Sequence, residues 1–348
     1  MRSEARIMTK VDISDTLKRP LRGLRISVTD RCNFRCTYCM PFDEYQWVER
    51  TQVLSFDEIE RLARLFVAQG VAQIRLTGGE PLVRRSLPSL VRQLRSIEGL
   101  HTLSLTTNGA LLGEQAASLK AAGLDRINVS LDTLSPDRFR KITQRGELQP
   151  VLEGLAAAKA VGMDPIKVNA VIIRGFNDDE LIDLVEFGRQ HHFEMRLIEY
   201  MDVGNASGWT VDKTFSKREM LETIHARFPV REVGRASGSA PAVDYEFLDG
   251  AGQIGIIGSV TEPFCSSCTR ARLTADGKLV TCLFAETGID LKTKMRQGAP
   301  DEELSEIIRT VWTNRADRYS DLRWERLKSG SGYEPRAHKK IEMITLGG

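Results

Sequence analysis

Six cysteines carry most of the chemical information in this 348-residue chain, and they fall into two groups of three. The first cysteine group has the spacing Cys-x3-Cys-x2-Cys and consists of Cys32, Cys36 and Cys39. The second cysteine group has the spacing Cys-x2-Cys-x13-Cys and consists of Cys265, Cys268 and Cys282. No cysteine is left over, and an odd number in each group argues against simple disulfide pairing.

The bulk composition indicates an ordinary globular protein, with 41% hydrophobic and 28% charged residues. The 49 basic and 47 acidic residues nearly cancel, which argues against a broad nucleic-acid-binding face. No apolar run approaches the roughly 18 residues that a membrane span needs, and the first residues lack the apolar core of a secretory signal. We therefore expect a cytoplasmic protein without a membrane or nucleic-acid partner, where cysteines serve as metal ligands or redox groups more often than in disulfides.

Three thiolates can hold a [4Fe–4S] cube by three of its irons and leave the fourth iron open to a small molecule. Zinc is the alternative for each group, and half a zinc ribbon would account for the second. Structural zinc usually takes four Cys or His ligands in paired spacings, and neither group has a fourth cysteine or a nearby histidine. The spacing therefore favours two iron–sulfur clusters.

The elements that must position these cysteines alternate in type along the chain. Short apolar runs with little polar alternation are typical of strands covered on both faces, and they occur at 24–28, 74–76, 103–105, 127–131, 166–173 and 195–198. Amphipathic stretches between them predict helices, and Ser55 with Glu58 forms a capping-box pattern before one of these. Alternating strands and helices predict parallel strands with right-handed crossovers. About six units indicate an α/β fold with an incomplete (β/α)6 TIM-like barrel, and a complete eight-unit barrel is the alternative.

The character of the chain changes after a Gly/Ser/Pro-rich stretch at 234–243. Short strands are predicted near 244–248, 253–260, 270–275 and 279–284, followed by a helix near 301–314. We therefore predict two domains, with the barrel in 1–235 and a small C-terminal α+β domain in 236–348.

The first cysteine group directly follows the first strand, and catalytic groups of α/β barrels come from such loops. The surrounding sequence TDRCNFRCTYCMP at 29–41 resembles the signature loop of radical S-adenosylmethionine (SAM) enzymes, and TGGEP at 77–81 resembles a second motif of that superfamily. The resemblance implies that the first cluster binds SAM and cleaves it to a 5′-deoxyadenosyl radical. It also implies a SAM site lined by Tyr38, Gly79, Ser130 and Met201.

Two arginines accompany the second cysteine group, at Arg270 and Arg272. Residues two apart on a strand share one face, and guanidinium groups match phosphate oxygens in bidentate geometry. The pair predicts a phosphorylated ligand, and a solvated basic pair is the alternative.

The sequences CSSCTRAR at 265–272, CLF at 282–284 and ITLGG at 344–348 are similar to those of the GTP 3′,8-cyclase family of molybdenum-cofactor biosynthesis. The resemblance covers about 20–348. It implies a radical SAM lyase that abstracts hydrogen from C3′ of GTP and joins C3′ to C8, giving (8S)-3′,8-cyclo-7,8-dihydroguanosine 5′-triphosphate. It further implies an external electron donor and a downstream partner, cyclic pyranopterin monophosphate synthase, while a monomer and a homodimer both stay open.

By the same resemblance, the residues that contact GTP are Arg25, Arg75, Thr106, Lys167, Arg270, Ala271 and Arg272. Those assigned to catalysis are Arg25, Arg270, Arg272, Gly347 and Gly348. The Gly-Gly end would enter the active site, and a frayed terminus is the alternative. Gln73 stands where many members of that family have Lys, so it is not included in the site.

Two other interpretations compete with this one. A peptide- or sulfatase-modifying radical SAM enzyme would share the barrel and the first cysteine group, but would not need Arg270, Arg272 or the Gly-Gly end. A zinc-stabilised nucleotide-binding module would need neither iron nor sulfide.

Overall fold

The structure is a computed structural model that describes residues 12–40, 42, 44–204, 208–330, 333–334 and 340–347. In this part of the chain, one sheet contains the strands β1 (Gly23–Ser27), β2 (Gln73–Thr77), β3 (Thr102–Thr107), β4 (Arg126–Ser130), β5 (Ile166–Ile172), β6 (Glu194–Glu199), β7 (Val230–Gly234), β8 (Val243–Phe247), β9 (Gln253–Ile257), β10 (Arg270–Leu273), β11 (Lys278–Val280) and β12 (Ile289–Asp290). Their order across the sheet is β12-β11-β10-β1-β2-β3-β4-β5-β6-β9-β8-β7.

The helices of the described residues are α1 (Phe56–Ala68), α2 (Leu87–Arg95), α3 (Leu112–Ala121), α4 (Pro136–Thr143), α5 (Leu148–Ala160), α6 (Leu181–His191), α7 (Lys217–Arg227), α8 (Leu291–Arg296), α9 (Asp301–Thr313), α10 (Tyr319–Ser329) and α11 (Met343–Leu346). Helix α1 begins at the predicted capping box, in which Glu58 N–H donates to Ser55 Oγ at 3.1 Å and Ser55 N–H donates to Glu58 Oε2 at 2.7 Å. Across the described ranges, no helix is both long and apolar enough to cross a membrane.

Strands β1 to β6 run parallel to their neighbours in chain order, and helices cover their outer face. Apolar residues that point outward from the strands, such as Leu24, Ile26 and Ile74, are almost fully buried against these helices. The sheet does not close on itself. The prediction of an incomplete barrel of six units is therefore confirmed.

The C-terminal region adds strands to both edges of this barrel sheet. Strand β10 pairs in parallel with β1, and β9 pairs in parallel with β6. The division predicted between 235 and 236 lies in the loop that joins the antiparallel partners β7 and β8, and it stays a prediction. Because β10 lies next to β1, the arginines of the C-terminal region become part of the barrel wall.

Candidate active site

Strand register brings four predicted site residues into the interior of the barrel. Arg25 on β1 pairs with Arg272 on β10 and with Arg75 on β2. Side chains two residues apart on a strand point to the same face, so Arg270 lies on the face of Arg272. One layer further along the strands, Thr106, Asn128 and Lys167 lie in register on β3, β4 and β5. The inner face of the sheet is therefore polar. The part of this face that carries Arg25, Arg75, Arg270 and Arg272 is here called the arginine wall.

The arginine wall carries buried positive charge without a carboxylate partner among the described residues. Burial and the charges of Arg272 and Arg75 lower the pKa of the Arg25 guanidinium well below its usual range. Burial and the charge of Arg270 lower the pKa values of Arg75 and Arg272 to about 10 each. Among the largest influences on the Arg25 pKa, the negative group is the Cys268 thiolate, and none is a carboxylate. Buried charges normally need a partner, so the wall is suited to a polyanion.

Two buried polar atoms on the inner face have no hydrogen-bond partner among the described residues, and they are Thr106 Oγ1 and Arg272 Nε. Buried polar groups are nearly always paired, so both atoms are available to a ligand. Lys167 differs, because its Nζ forms an ion pair with Glu194 Oε2 at 2.8 Å. The Ala271 side chain lies on the opposite face, in the hydrophobic core, so only the backbone of Ala271 can reach a ligand in the barrel.

The glycines of the TGGEP motif allow the first cysteine loop to pack against the end of β2. Gly79 N–H donates to Thr29 O at 2.8 Å, and a Cβ on Gly79 would lie 2.4 Å from Arg31 O. Glu80, 1% exposed, accepts from Thr107 Oγ1 and Asn108 N at 2.7 Å each. These bonds fix the ends of β2 and β3 beside the first cysteine group, while burial raises the pKa of the Glu80 carboxyl to about 7.

The three thiols of the first cysteine group lie close enough to act on one another. Burial raises the pKa of Cys32 to about 11, while burial and the charge of Cys32 raise that of Cys39 to about 12. Burial and the charge of Cys39 raise the pKa of Cys36 well above its usual range. Asn108 Nδ2 lies 3.9 Å from Cys32 Sγ. Thiols buried together in this way lose their protons only when a cation compensates the resulting charge, so the group is suited to a metal centre.

The donor set is compatible with an iron–sulfur cube. It contains only thiols, which are the ligands that such clusters take. Within the described ranges, no three His, Cys, Asp or Glu side chains converge closely enough to hold a single metal ion. A cube uses a wider arrangement, because each thiolate binds a different iron.

The residues predicted for SAM lie in the first cysteine loop and at or just after the carboxyl ends of β2, β4 and β6. The Tyr38 hydroxyl donates to Asp132 Oδ2 at 2.7 Å, and its ring lies edge-on to Tyr200 with the ring centroids 6.4 Å apart. Met201 packs into the same small apolar cluster as Tyr38 and Tyr200. Ser130 ends β4, opposite Asn169 on β5. The structure thus brings Tyr38 and Met201 together and adds Asp132, which fixes the tyrosine ring.

The second cysteine group has a different electrostatic environment. Burial disfavours the Cys268 thiolate, but the charges of Arg270 and Arg315 outweigh it and lower the pKa of Cys268 to about 6. Arg270 Nη2 donates to Cys268 Sγ at 3.5 Å. Burial raises the pKa of Cys282 to about 11. The second cysteine group therefore contacts the arginine wall, through Cys268 and Arg270.

The C-terminal segment returns to the barrel. Ile341 N–H donates to Ala285 O at 2.9 Å, close to Cys282, and Ile344 and Leu346 are buried. Gly347 has a φ of +71°, and a Cβ there would lie 2.3 Å from Thr77 Cγ2. The structure thus seats Gly347 against the end of β2, and Gly348 lies outside the described residues.

A buried network around Asp202 anchors this segment. Asp202 is 1% exposed and accepts from Tyr319 at 2.6 Å and from Lys340 Nζ at 2.8 Å, with further bonds from Arg323 and Tyr333. Asp202 follows Met201 directly, so the network links the predicted SAM site to the start of the tail.

Comparison with known proteins identifies the family. The model of the Radical SAM superfamily matches residues 26–188, and the model named Molybdenum Cofactor Synthesis C matches residues 193–321. The chain is 46% identical over 341 residues to the GTP 3′,8-cyclase of Xanthomonas axonopodis pv. citri (strain 306), covering 97% of this chain and 99% of the relative. The chain belongs to the GTP 3′,8-cyclase family.

Another member of the GTP 3′,8-cyclase family, GTP 3′,8-cyclase 3 of Mycobacterium tuberculosis (strain CDC 1551 / Oshkosh), is 46% identical over 345 residues, 97% of this chain and 90% of the relative. Among solved structures, Streptococcus suis SuiB bound to the precursor peptide SuiA matches with a TM-score of 0.62 at 15% identity, over 94% of this chain and 76% of that one. This structural likeness shows the fold alone.

Sequence reasoning missed several residues that build the site of this cyclase-family chain. Asp132 directly follows the predicted strand run at 127–131, but its contact with Tyr38 spans 94 residues. Asp202 and Arg315 likewise gain their role from partners far away in the chain. No local pattern distinguishes such residues from solvated charges.

Proposed function

We propose that this chain is a GTP 3′,8-cyclase that converts GTP into (8S)-3′,8-cyclo-7,8-dihydroguanosine 5′-triphosphate, the first step of molybdenum-cofactor biosynthesis. The observation that carries the proposal is the arginine wall, which lies without a carboxylate partner among the described residues inside a barrel that has a three-cysteine group on each side. A GTP triphosphate supplies the roughly four negative charges that such a wall can bind through bidentate guanidinium bonds.

Cys32, Cys36 and Cys39 would hold one [4Fe–4S] cluster, which with bound SAM supplies a 5′-deoxyadenosyl radical able to take hydrogen from C3′ of GTP. Cys265, Cys268 and Cys282 would hold a second. Around the first, Tyr38, Gly79, Ser130 and Met201 bind and orient SAM, and Asp132 keeps the Tyr38 ring in place.

The arginine wall orients the substrate. Arg25, Arg75, Arg270 and Arg272 bind phosphate oxygens, and the unpartnered Thr106 hydroxyl donates to or accepts from the nucleotide. Lys167, already paired with Glu194, contributes a partly balanced charge. Gly347, which lies against the end of β2, and the following Gly348 would form the tail that enters the active site. An external electron donor supplies the electron, and cyclic pyranopterin monophosphate synthase consumes the product.

The decisive experiment is an anaerobic assay of the reconstituted chain with GTP, SAM and a reductant, read out for 5′-deoxyadenosine and for the cyclised nucleotide. Reconstitution should give about eight irons and eight sulfides per chain, as two cubes require. Stoichiometric zinc without iron, or 5′-deoxyadenosine formation by the Cys36→Ser variant, would contradict the proposal.

Substrate assignment is tested by binding. Arg270→Ala removes a charged hydrogen-bond donor, which is worth about 1.5–3 kcal/mol, so the GTP dissociation constant should rise about 10- to 100-fold while that of SAM changes little. Arg231→Ala is the control, because Arg231 is exposed on β7 and forms its ion pair within the described residues with Glu246. Equal losses for GTP and SAM, or no loss, would contradict the assignment of the wall to GTP.

A further inference from the structure

Two buried arginines reach the backbone of the second cysteine loop from outside the barrel. Arg19, which precedes β1, donates from Nη1 to Cys265 O at 2.7 Å. Arg315, which follows α9, donates from Nη1 to Cys268 O at 2.8 Å. Both side chains are 2% exposed. The carbonyls of both cysteines that define the loop are thus held by guanidinium groups from segments almost 300 residues apart.

Asp15 joins the two arginines. Its Oδ2 accepts from Arg19 Nε at 2.6 Å and from Arg315 Nη1 at 3.2 Å, and the side chain is fully buried. Asp15 Oδ1 accepts from Arg19 N–H at 2.9 Å, which fixes the segment that carries both residues. Asp15, Arg19 and Arg315 are here called the basal triad.

The charges of the basal triad do not cancel. Two guanidinium groups face one buried carboxylate, and the remaining acid in contact with Arg315 is Asp317, at 3.2 Å and with its side chain 33% exposed. Arg19 also contacts Asp317, but through the backbone carbonyl, at 2.8 Å. Water screens a carboxylate that is one-third exposed more than it screens a buried one. A net positive charge therefore remains buried beside Cys268.

Burying these three charged side chains is energetically unfavourable if their only role is to pack the core. Each buried ion costs several kcal/mol in desolvation, and well-packed apolar side chains often serve as well or better. Arg19 Nη2 is buried without a hydrogen-bond partner among the described residues, so the triad is not fully satisfied by the groups around it. This cost is explained if the buried positive charge of the basal triad acts on a neighbouring group whose own charge changes during function.

We propose that Asp15, Arg19 and Arg315 are positioning residues for the second cysteine group, which clamp the loop at 265–268 and place a buried positive charge beside the cluster that this group would hold. Reduction adds one negative charge to such a cluster, so a nearby cation makes reduction more favourable. The inference rests on the proposed function, since it requires a cluster at the second cysteine group.

The test uses the full chain with Cys32, Cys36 and Cys39 all replaced by Ala, so that every iron signal comes from the second group. Arg315→Gln removes the charge but keeps an N–H donor, and Arg315→Lys keeps the charge but loses the planar fork. After anaerobic reconstitution, iron content, the electron paramagnetic resonance spectrum of the reduced cluster and its midpoint potential are measured.

We expect Arg315→Gln to shift the midpoint potential to more negative values and Arg315→Lys to restore most of the shift. Asp15→Asn leaves the triad with more positive charge, so it should shift the potential the opposite way. Arg309→Gln is the matched control, because Arg309 is an exposed arginine on α9 that pairs with Glu306, and it should leave the potential unchanged.

Unchanged potentials in both Arg315→Gln and Asp15→Asn would overturn the inference. If Arg315→Gln fails to assemble a cluster, the direction of the shift in Asp15→Asn decides. Failure of the proposed function looks different, because the chain with an intact basal triad would then bind no iron at the second group. If the cluster assembles normally and its midpoint potential does not depend on the basal triad, only the inference is refuted.

Discussion

Replacing Gly347 by Ala tests whether the tail acts by occupying the barrel. Gly347 has a φ of +71°, and an added Cβ would lie 2.3 Å from Thr77 Cγ2 and 2.8 Å from Thr77 Oγ1. With its ψ of +132°, this conformation is nearly restricted to glycine and costs a residue with a Cβ about 1–3 kcal/mol, which by itself lowers the ratio of seated to unseated tail about 5- to 150-fold. The contact with Thr77 adds to this, because Thr77 is buried and cannot move freely.

We therefore expect Gly347→Ala to lose at least 90% of GTP turnover while the cluster content and the global stability stay unchanged. Turnover is measured anaerobically as cyclised nucleotide formed. Seating of the tail is measured independently, as hydrogen–deuterium exchange of the peptide that contains residues 340–347. Exchange should become faster in the variant.

Gly162→Ala is the matched control. Gly162 has the same φ of +71°, but an added Cβ meets nothing within 4 Å, so this variant places a Cβ at a positive φ without a clash and away from the tail. The double variant Gly347→Ala with Thr77→Ala should recover part of the turnover, because it removes the two closest atoms. Full turnover and unchanged tail exchange in Gly347→Ala would refute the reasoning.

Three further predictions follow from buried charges. Asp202→Asn removes the buried carboxylate that forms ion pairs with Arg323 and Lys340, so the free energy of unfolding should fall by about 3–5 kcal/mol in chemical denaturation, and the tail should exchange faster. The pKa is about 6 for Cys268 and about 11 for Cys282, so in the metal-free chain at pH 7 the thiolate fractions should be about 0.9 and about 10⁻⁴. Mass spectrometry should therefore find Cys268 alkylated first. Burial raises the pKa of Glu80 from 4.5 to about 7 in the folded chain, so the folded state binds the proton more tightly than the unfolded state does. The free energy of unfolding of the metal-free chain should therefore fall by about 3 kcal/mol as the pH rises from 4.5 to 7.

Each of these predictions has a control and a contradicting outcome. Asp249→Asn, at an exposed carboxylate paired with Arg189, should barely change stability, and an equal loss in both Asp variants would contradict the first. Alkylation of Cys282 before Cys268 would contradict the second. Glu80→Gln should flatten the pH profile between pH 4.5 and pH 7, and an unaltered slope would assign that slope to other groups.

The barrel and the cysteine groups could be read from the sequence because their signals are local. A buried parallel strand is a short apolar run, and a capping box such as that of Ser55 and Glu58 spans four residues, so both are visible in a window of the chain. The spacing within each cysteine group is equally local. The predicted runs at 24–28, 127–131 and 166–173 accordingly match β1, β4 and β5 to within one residue at each end.

The arginine wall and the basal triad required the tertiary structure. Sequence alone placed Arg270 and Arg272 in a separate region, and only the parallel pairing of β10 with β1 brings Arg272 beside Arg25. Any free sheet edge can accept a strand, and the choice depends on the packing of the whole chain. Contacts such as those of Arg315 with Asp15 and Cys268 are fixed in the same way. Local periodicity determines which elements form, but charge pairing between distant residues follows only once the core has set the positions of those elements.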